Sequence, residues 1–218
     1  MIKAAIFDVD GTLLDTMPFW ATVGTRMIKK AGLTPVEGLD KAVLFMTLEE
    51  SCAFIKGAYG LPDTIESLVQ NVIKEVTDFY LYEAQPKKGI PAFLEALADR
   101  GVKMAIATAS DKRLVKYSLM RMGLDKYFGE IFTCSELNLN KRNGEIYLHA
   151  ARYLGYGASD CAVFEDILVA VRSAKEAGFF TVAIEDNESA GDKEEIIKAA
   201  DLYVSDKDGF NGFWSVMK

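Results

Sequence analysis

Ile2-Lys3-Ala4-Ala5-Ile6-Phe7-Asp8-Val9-Asp10-Gly11-Thr12-Leu13-Leu14-Asp15-Thr16 is the stretch on which the reading of this chain turns. Residues 2 to 9 are a nearly continuous apolar run, interrupted by Lys3 and by the acid Asp8. Strands buried on both faces of a parallel sheet have this texture, because helices cover both sides and no face is left for water. The run ends in two aspartates and a glycine turn, so carboxylates stand at the C-terminal end of a central strand. In open parallel sheets that is the edge where ligands bind.

Outward from this strand the texture changes twice. From about 17 to 85 the pattern is helical. One helix is expected from Pro18 to Ala31, a second behind the capping box Thr47-x-x-Glu50, and a third from Asp63-x-x-Glu66 to near Tyr82. After Pro86, helical and strand-like runs alternate. The expected helices are Ile90–Asp99, Asp111 to Gly123, Glu145–Leu154, a segment ending at Ala177-Gly178, and Ile196–Ala200. The expected strands are Val102–Ala107, Ile131–Thr133, Cys161–Phe164, Phe179–Ile184 and Leu202–Val204. Alternation of this kind implies right-handed crossovers and an α/β, doubly wound parallel sheet. The expected organisation is a core from 1–16 and 86–218, with an all-helical insertion at 17–85.

Composition narrows the classes. The chain has 218 residues, half of them apolar or aromatic, and a net charge of −7 from 25 basic and 32 acidic residues. That composition excludes a disordered tail, a collagen-like fibre and a coiled coil. An acidic chain without a basic run is a poor partner for nucleic acid or an anionic membrane surface. No stretch approaches the roughly 18 apolar residues of a membrane span. Cys52, Cys134 and Cys161 form no Cys-x-x-Cys pair, and His149 is the single histidine, so a zinc motif is excluded. With sparse cysteines and no signal-peptide pattern, the expected compartment is the cytoplasm.

Polar residues at the predicted strand ends converge on one edge: Asp8 and Asp10, then Thr108 and Ser110, then Lys141, then Glu165 and Asp166. Clustered carboxylates repel unless a cation neutralises them, and an all-oxygen set suits Mg²⁺. A lysine and a hydroxyl beside such a metal suit a phosphoryl group, and an aspartate there can serve as nucleophile. The chemistry these residues fit is metal-assisted phosphoryl transfer. The same residues also have ordinary structural roles open to them. Thr108 and Ser110 can cap the next helix, Glu165-Asp166 can be a solvated strand end, and Arg142 can replace Lys141.

Asp8-Val-Asp10-Gly11-Thr12-Leu-Leu-Asp-Thr resembles the first motif of the haloacid dehalogenase (HAD) superfamily. Thr108 in Ile-Ala-Thr-Ala-Ser resembles the second motif, Lys141 the third, and Phe164-Glu165-Asp166 the fourth. The resemblance runs from Ile2 to about Val204, and the helical insertion resembles the C1-type cap of subfamily I. It implies a Rossmann-like core and roles for single residues. Asp8 would be the nucleophile and a Mg²⁺ ligand. Asp10 would protonate the leaving oxygen, activate water and bind the metal through its backbone carbonyl. Gly11, Thr108, Ala109 and Lys141 would hold the phosphoryl group. Glu165 and Asp166 would complete the metal site.

Four positions depart from the family pattern: Arg142 and Gly144 where prolines are usual, and Ile167 and Ala170 where serine and glycine are usual. In the cap, Trp20, Met46 and Thr47 are the expected specificity residues. The implied function is a Mg²⁺-dependent phosphohydrolase for a small phosphorylated metabolite, acting through an aspartyl-phosphate as a monomer or weak dimer. The second reading is a β-phosphoglucomutase-like mutase, ranked lower because no histidine stands near position 20. A phosphoacceptor signalling or binding domain is the alternative from another class. It is disfavoured by the chain's length and by the complete set of key side chains.

Overall fold

The computed structural model describes residues 2–43 and 46–216; Met1, Leu44, Phe45, Met217 and Lys218 lie outside the described residues. Six strands form one sheet: β1 (Ala4–Phe7), β2 (Lys103–Thr108), β3 (Phe128–Thr133), β4 (Cys161–Glu165), β5 (Phe180–Ile184) and β6 (Leu202–Val204). Their order is β3-β2-β1-β4-β5-β6, and every pairing is parallel. β1 lies between β2 and β4, where the winding reverses. A doubly wound sheet opens its ligand crevice at that switch point. The register sets Phe7 beside both Ile106 and Phe164, so the next residues, Asp8 and Glu165, emerge side by side.

Each face of the sheet has its own apolar layer. On one side Ile146, Tyr147, Ala150 and Leu154 of the helix Glu145–Leu154 pack on Ala4, Ile6, Ala105 and Val163. Among the aromatic residues, Phe7 stacks on Phe164 at 4.3 Å, and Phe93 meets Phe7, Phe164, Phe210 and Phe213. Burial of this kind, with aromatic pairing, holds β1 fixed beneath the polar residues at its end.

The chain divides into two compact units, Met1–Met17 with Ala84–Lys218, and Pro18–Glu83. The second has its own core of Ile28, Leu39, Cys52, Ile55, Leu61, Leu68 and Val72. Here the expected single helix over 18–31 is two, Met17–Trp20 and Val23–Lys30. The Thr22 hydroxyl donates to the Pro18 carbonyl at 2.7 Å, and such side-chain bonds compete with the helical ladder. The helix expected from Asp63 begins instead at Ile65, with Thr64 as its cap, and its last turn widens into a π-helix over Phe79–Glu83. The capping box at Thr47 forms as expected: Thr47 Oγ1 accepts from Glu50 N, and Glu50 Oε2 accepts from Thr47 N.

Candidate active site

β1 and β4 deliver three buried acids to one place. Carboxylate oxygens of Asp8, Glu165 and Asp166 all lie within 4.8 Å of one another. Asp8 is 6% exposed, Glu165 1% and Asp166 2%. The Lys141 ammonium reaches in from the loop before Glu145–Leu154; it donates to Asp8 Oδ1 and, at 2.6 Å, to Glu165 Oε1. Tyr147, on the following helix, donates its hydroxyl to the same Glu165 oxygen at 2.7 Å.

Three negative groups and one ammonium in a buried site leave an uncompensated charge, and the proton affinities reflect it. Burial, with Glu165 and Asp10 as further negative neighbours, pushes Asp8 up to about 8 despite the opposing Lys141. Burial, then Asp8 and Glu165, raises Asp166 well above the carboxylate range. Burial works to discharge Lys141, but the two carboxylates it binds outweigh burial and hold it above an ordinary lysine. Burial and Glu165 likewise raise the Tyr147 hydroxyl, so it is a donor throughout the physiological range.

The donor set fits a divalent metal. Glu165 Oε2 and Asp166 Oδ2 are buried without a hydrogen-bond partner, a costly state for carboxylate oxygens unless a cation takes them. Three hard oxygen donors, with no histidine or cysteine, suit a hard cation. Asp8, Glu165 and Asp166 could therefore hold such an ion. Asp10 stands outside this trio among the described residues. Its carboxylate accepts from Thr16 Oγ1 at 2.6 Å and from the Ser110 hydroxyl.

The remaining predicted residues lie around the cluster. Gly11 has φ +77°, and a Cβ there would fall 2.3 Å from Asp166 Oδ2. Only glycine fits a left-handed turn pressed so close to a carboxylate. Thr12 Oγ1 contacts Asp166 Oδ1 at 3.4 Å. Thr108 is fully buried at the end of β2, and its hydroxyl accepts from Ser110 N at 3.1 Å. Ala109 lies in the exposed turn between them, and Asp111, not Thr108, caps the helix Lys112–Met122.

The departures from the family pattern have local substitutes. Gly144, at φ +74°, admits Ser173 O and Ala177 Cβ to 2.8 Å of where a Cβ would stand. The Ser173 hydroxyl donates to the Lys141 carbonyl, so a side chain steadies the lysine loop where proline is usual. Arg142 is exposed, and Lys141 is the residue that meets the acids. Ile167 is 37% exposed and Ala170 fully buried.

Of the residues expected to select a substrate, Thr47 spends its side chain on the capping box, and Trp20 Nε1 donates to Tyr80 Oη at 3.3 Å. Met46 is exposed. The His149 ring meets that of Phe132 at 4.9 Å.

Sequence reasoning missed two residues. Tyr147 lies within the expected helix Glu145–Leu154 and Lys87 just after Pro86, and neither was singled out. Lys87 is 9% exposed, and its ammonium donates to Gly11 O at 3.0 Å, Glu185 O at 2.5 Å and Asp186 Oδ2 at 2.8 Å. Nothing in Gln85-Pro86-Lys87-Lys88 distinguishes the buried lysine from the exposed one beside it.

The parallel sheet, with a carboxylate trio and a lysine at its switch point, places the protein in the α/β class with a site that could hold a metal. The model of the haloacid dehalogenase-like hydrolases matches residues 5–184, and this chain belongs to that family. It is 28% identical over 177 residues to the phosphorylated carbohydrates phosphatase of Thermotoga maritima, covering 81% of this chain and 82% of that protein. It is 27% identical over 186 residues to the N-acetylmuramic acid 6-phosphate phosphatase of Pseudomonas aeruginosa, covering 84% and 81%. Among solved structures, a Thermotoga maritima protein provisionally assigned as a beta-phosphoglucomutase superposes with a TM-score of 0.84. It shares 25% identity, with 99% of this chain and all of that one covered.

Proposed function

We propose that this protein is a Mg²⁺-dependent phosphatase of small phosphorylated metabolites, sugar phosphates foremost, and that it works through an aspartyl-phosphate on Asp8. The observation that carries the reading is the buried trio of Asp8, Glu165 and Asp166 with Lys141 bonded to two of its members. Similarity to two phosphatases of phosphorylated sugars supports the substrate class.

Asp8, Glu165 and Asp166 would hold Mg²⁺, joined by the backbone carbonyl of Asp10. When bound, the metal would neutralise the acids and the charge of the phosphoryl group. Asp8 lies at the end of a fully buried strand, so its carboxylate is aimed by the sheet rather than by a loop. It attacks phosphorus, and the bond to the leaving oxygen breaks. Asp10, steadied by Thr16 and Ser110, gives its proton to that oxygen. The same carboxylate then takes a proton from water, which attacks the aspartyl-phosphate and frees Asp8 and phosphate. Lys141, Thr108 and the turn at Gly11 and Ala109 hold the phosphoryl oxygens. Lys141 would exchange its bond to Asp8 for those oxygens as the substrate enters. Selectivity is assigned to the helical unit, with Met46, Thr47 and Trp20 as its contributors.

A mutase is the second reading, favoured by the similarity to the Thermotoga maritima structure. Against it, the sole histidine is His149, at the ring of Phe132, so no imidazole is available near position 20 to steer a second sugar hydroxyl. Incubation with β-glucose 1-phosphate, a trace of the bisphosphate and Mg²⁺ separates the two. We expect phosphate release with little glucose 6-phosphate. Rapid glucose 6-phosphate formation, with phosphate well below it, would replace the phosphatase by the mutase.

A further inference from the structure

Lys87 is a buried cation that neither the proposed chemistry nor the family motifs of the sequence use. It follows Pro86, whose backbone forms an antiparallel bridge with Leu14, and Lys87 N donates to Leu13 O at 2.9 Å. Its backbone is thus fastened to the far limb of the loop that begins at Asp8. Its ammonium reaches the near limb, donating to Gly11 O at 3.0 Å. The other two partners are Glu185 O and Asp186 Oδ2, just past the end of β5. An ammonium has three hydrogens and here finds three acceptors from two strand ends. Asp186 is held in turn, its other oxygen accepting from Glu188 N at 2.9 Å.

The place gripped is narrow. The Gly11 turn runs so close to Asp166 that a methyl group would not fit, and Asp10 and Thr12 flank it. A shift of the Gly11 peptide would carry the Asp10 carboxylate and the Thr12 hydroxyl with it. Catalytic groups tolerate about half an ångström of displacement, and an error of 1 Å can cost about a hundredfold in rate.

We propose that Lys87 is a positioning residue, which with Asp186 locks the Gly11 carbonyl and so fixes Asp10 and the Gly11 turn against the metal-site carboxylates. The proposal rests on the phosphatase reading for its catalytic consequence, but not for its structural one. A hydrophobic side chain of similar length could fill the same space and pack the same walls. Only a cation with three donors can hold two backbone carbonyls and a carboxylate together. The site therefore bears the cost of a buried ion pair for the sake of geometry.

The test compares full-length Lys87→Met, which keeps the stem and removes the donors, with the exposed neighbour Lys88→Met. Two quantities are read: amide hydrogen exchange over residues 9–15 in metal-free protein, and kcat and KM for a sugar phosphate with Mg²⁺. In Lys87→Met, exchange at residues 11–15 should accelerate about tenfold or more. Its kcat should fall by about tenfold to a hundredfold, with KM within threefold of wild type. Lys88→Met should match wild type within twofold in both. A folded Lys87→Met with exchange and kcat both within threefold of wild type would overturn the proposal, even if its Tm were lower. Where Lys87→Met does not fold, Lys87→Gln, whose amide serves at most two of the three acceptors, is judged by the same criteria. Wild-type protein that releases no phosphate would end the phosphatase reading, and the exchange measurement would still decide the role of Lys87.

Discussion

Asp8 owes its place to the residue before it and its chemistry to the residues around it. Phe7 is stacked and fully buried, so the carboxylate that follows has no freedom to swing into solvent. Asp8→Asn removes both the nucleophile and a charge, and turnover should drop below about a hundredth of wild type with the fold intact. Steady-state phosphate release and circular dichroism check this; larger residual activity would contradict covalent catalysis. Tyr147→Phe is the subtler change. It deletes one hydrogen bond to Glu165 while keeping the ring in the core, and should cost about 1 kcal/mol of stability, seen as a lower Tm. The acids could be read from the sequence because they stand at the ends of apolar runs. Lys141, in a polar loop among Asn138, Asn140, Arg142 and Asn143, could be read through its resemblance to the family's third motif. Tyr147 and Lys87 could not, since a helix interior and a linker carry no mark of what they face.

At the scale of elements, the same turn that marks the site also limits it. Gly11→Ala places a Cβ onto Asp166 and forces a left-handed φ on a residue that resists it. Metal affinity, followed by calorimetric titration, should fall sharply; unchanged affinity would mean that Asp166 is not a ligand. In the helical unit, Thr47→Ala removes the cap of Leu48–Tyr59 and should destabilise the protein by about 1 kcal/mol, measured by denaturant unfolding. Helices with strong terminal signals were legible: Ile90–Asp99 and Glu145–Leu154 run between the residues the sequence indicates. Boundaries were misplaced at Thr22 and Thr64, where local side-chain bonds decide, at β3, which begins at Phe128 rather than Ile131, and at the helix expected from Ile196, which spans Lys193–Ala199. Three short helices, Leu39–Val43, Cys134–Leu137 and Asn211–Val216, are too brief for a periodic pattern to reveal.

Across the whole molecule, the cost of the site should appear in the dependence of stability on pH. Asp8 and Asp166 bind protons more tightly folded than unfolded. The stability they contribute is therefore complete below the usual carboxylate range and is lost as pH rises toward 8. The acids with lowered proton affinity, Glu66, Asp111, Glu130, Glu185 and Asp201, act in the opposite sense, but only below about pH 4. Metal-free protein should thus melt at a lower temperature at pH 8 than at pH 5.5, and added Mg²⁺ should recover more at pH 8, where it meets less competition from protons. Thermal scans at both pH values decide this; a Tm that rises with pH without metal would contradict it. The architecture was the most legible feature, because buried strands alternating with helices admit few topologies. No helix among the described residues is long and apolar enough to cross a membrane.

Trapping the phosphoryl group on the protein tests the central claim most directly. Wild-type enzyme is mixed with a sugar phosphate and Mg²⁺, quenched in acid within one turnover, digested and weighed by mass spectrometry. The account predicts one added phosphoryl group on the peptide containing Asp8, absent when a chelator replaces Mg²⁺ and absent in Asp8→Asn. Phosphate release from an enzyme whose Asp8 peptide is never labelled, or release that continues undiminished in chelator, would contradict it.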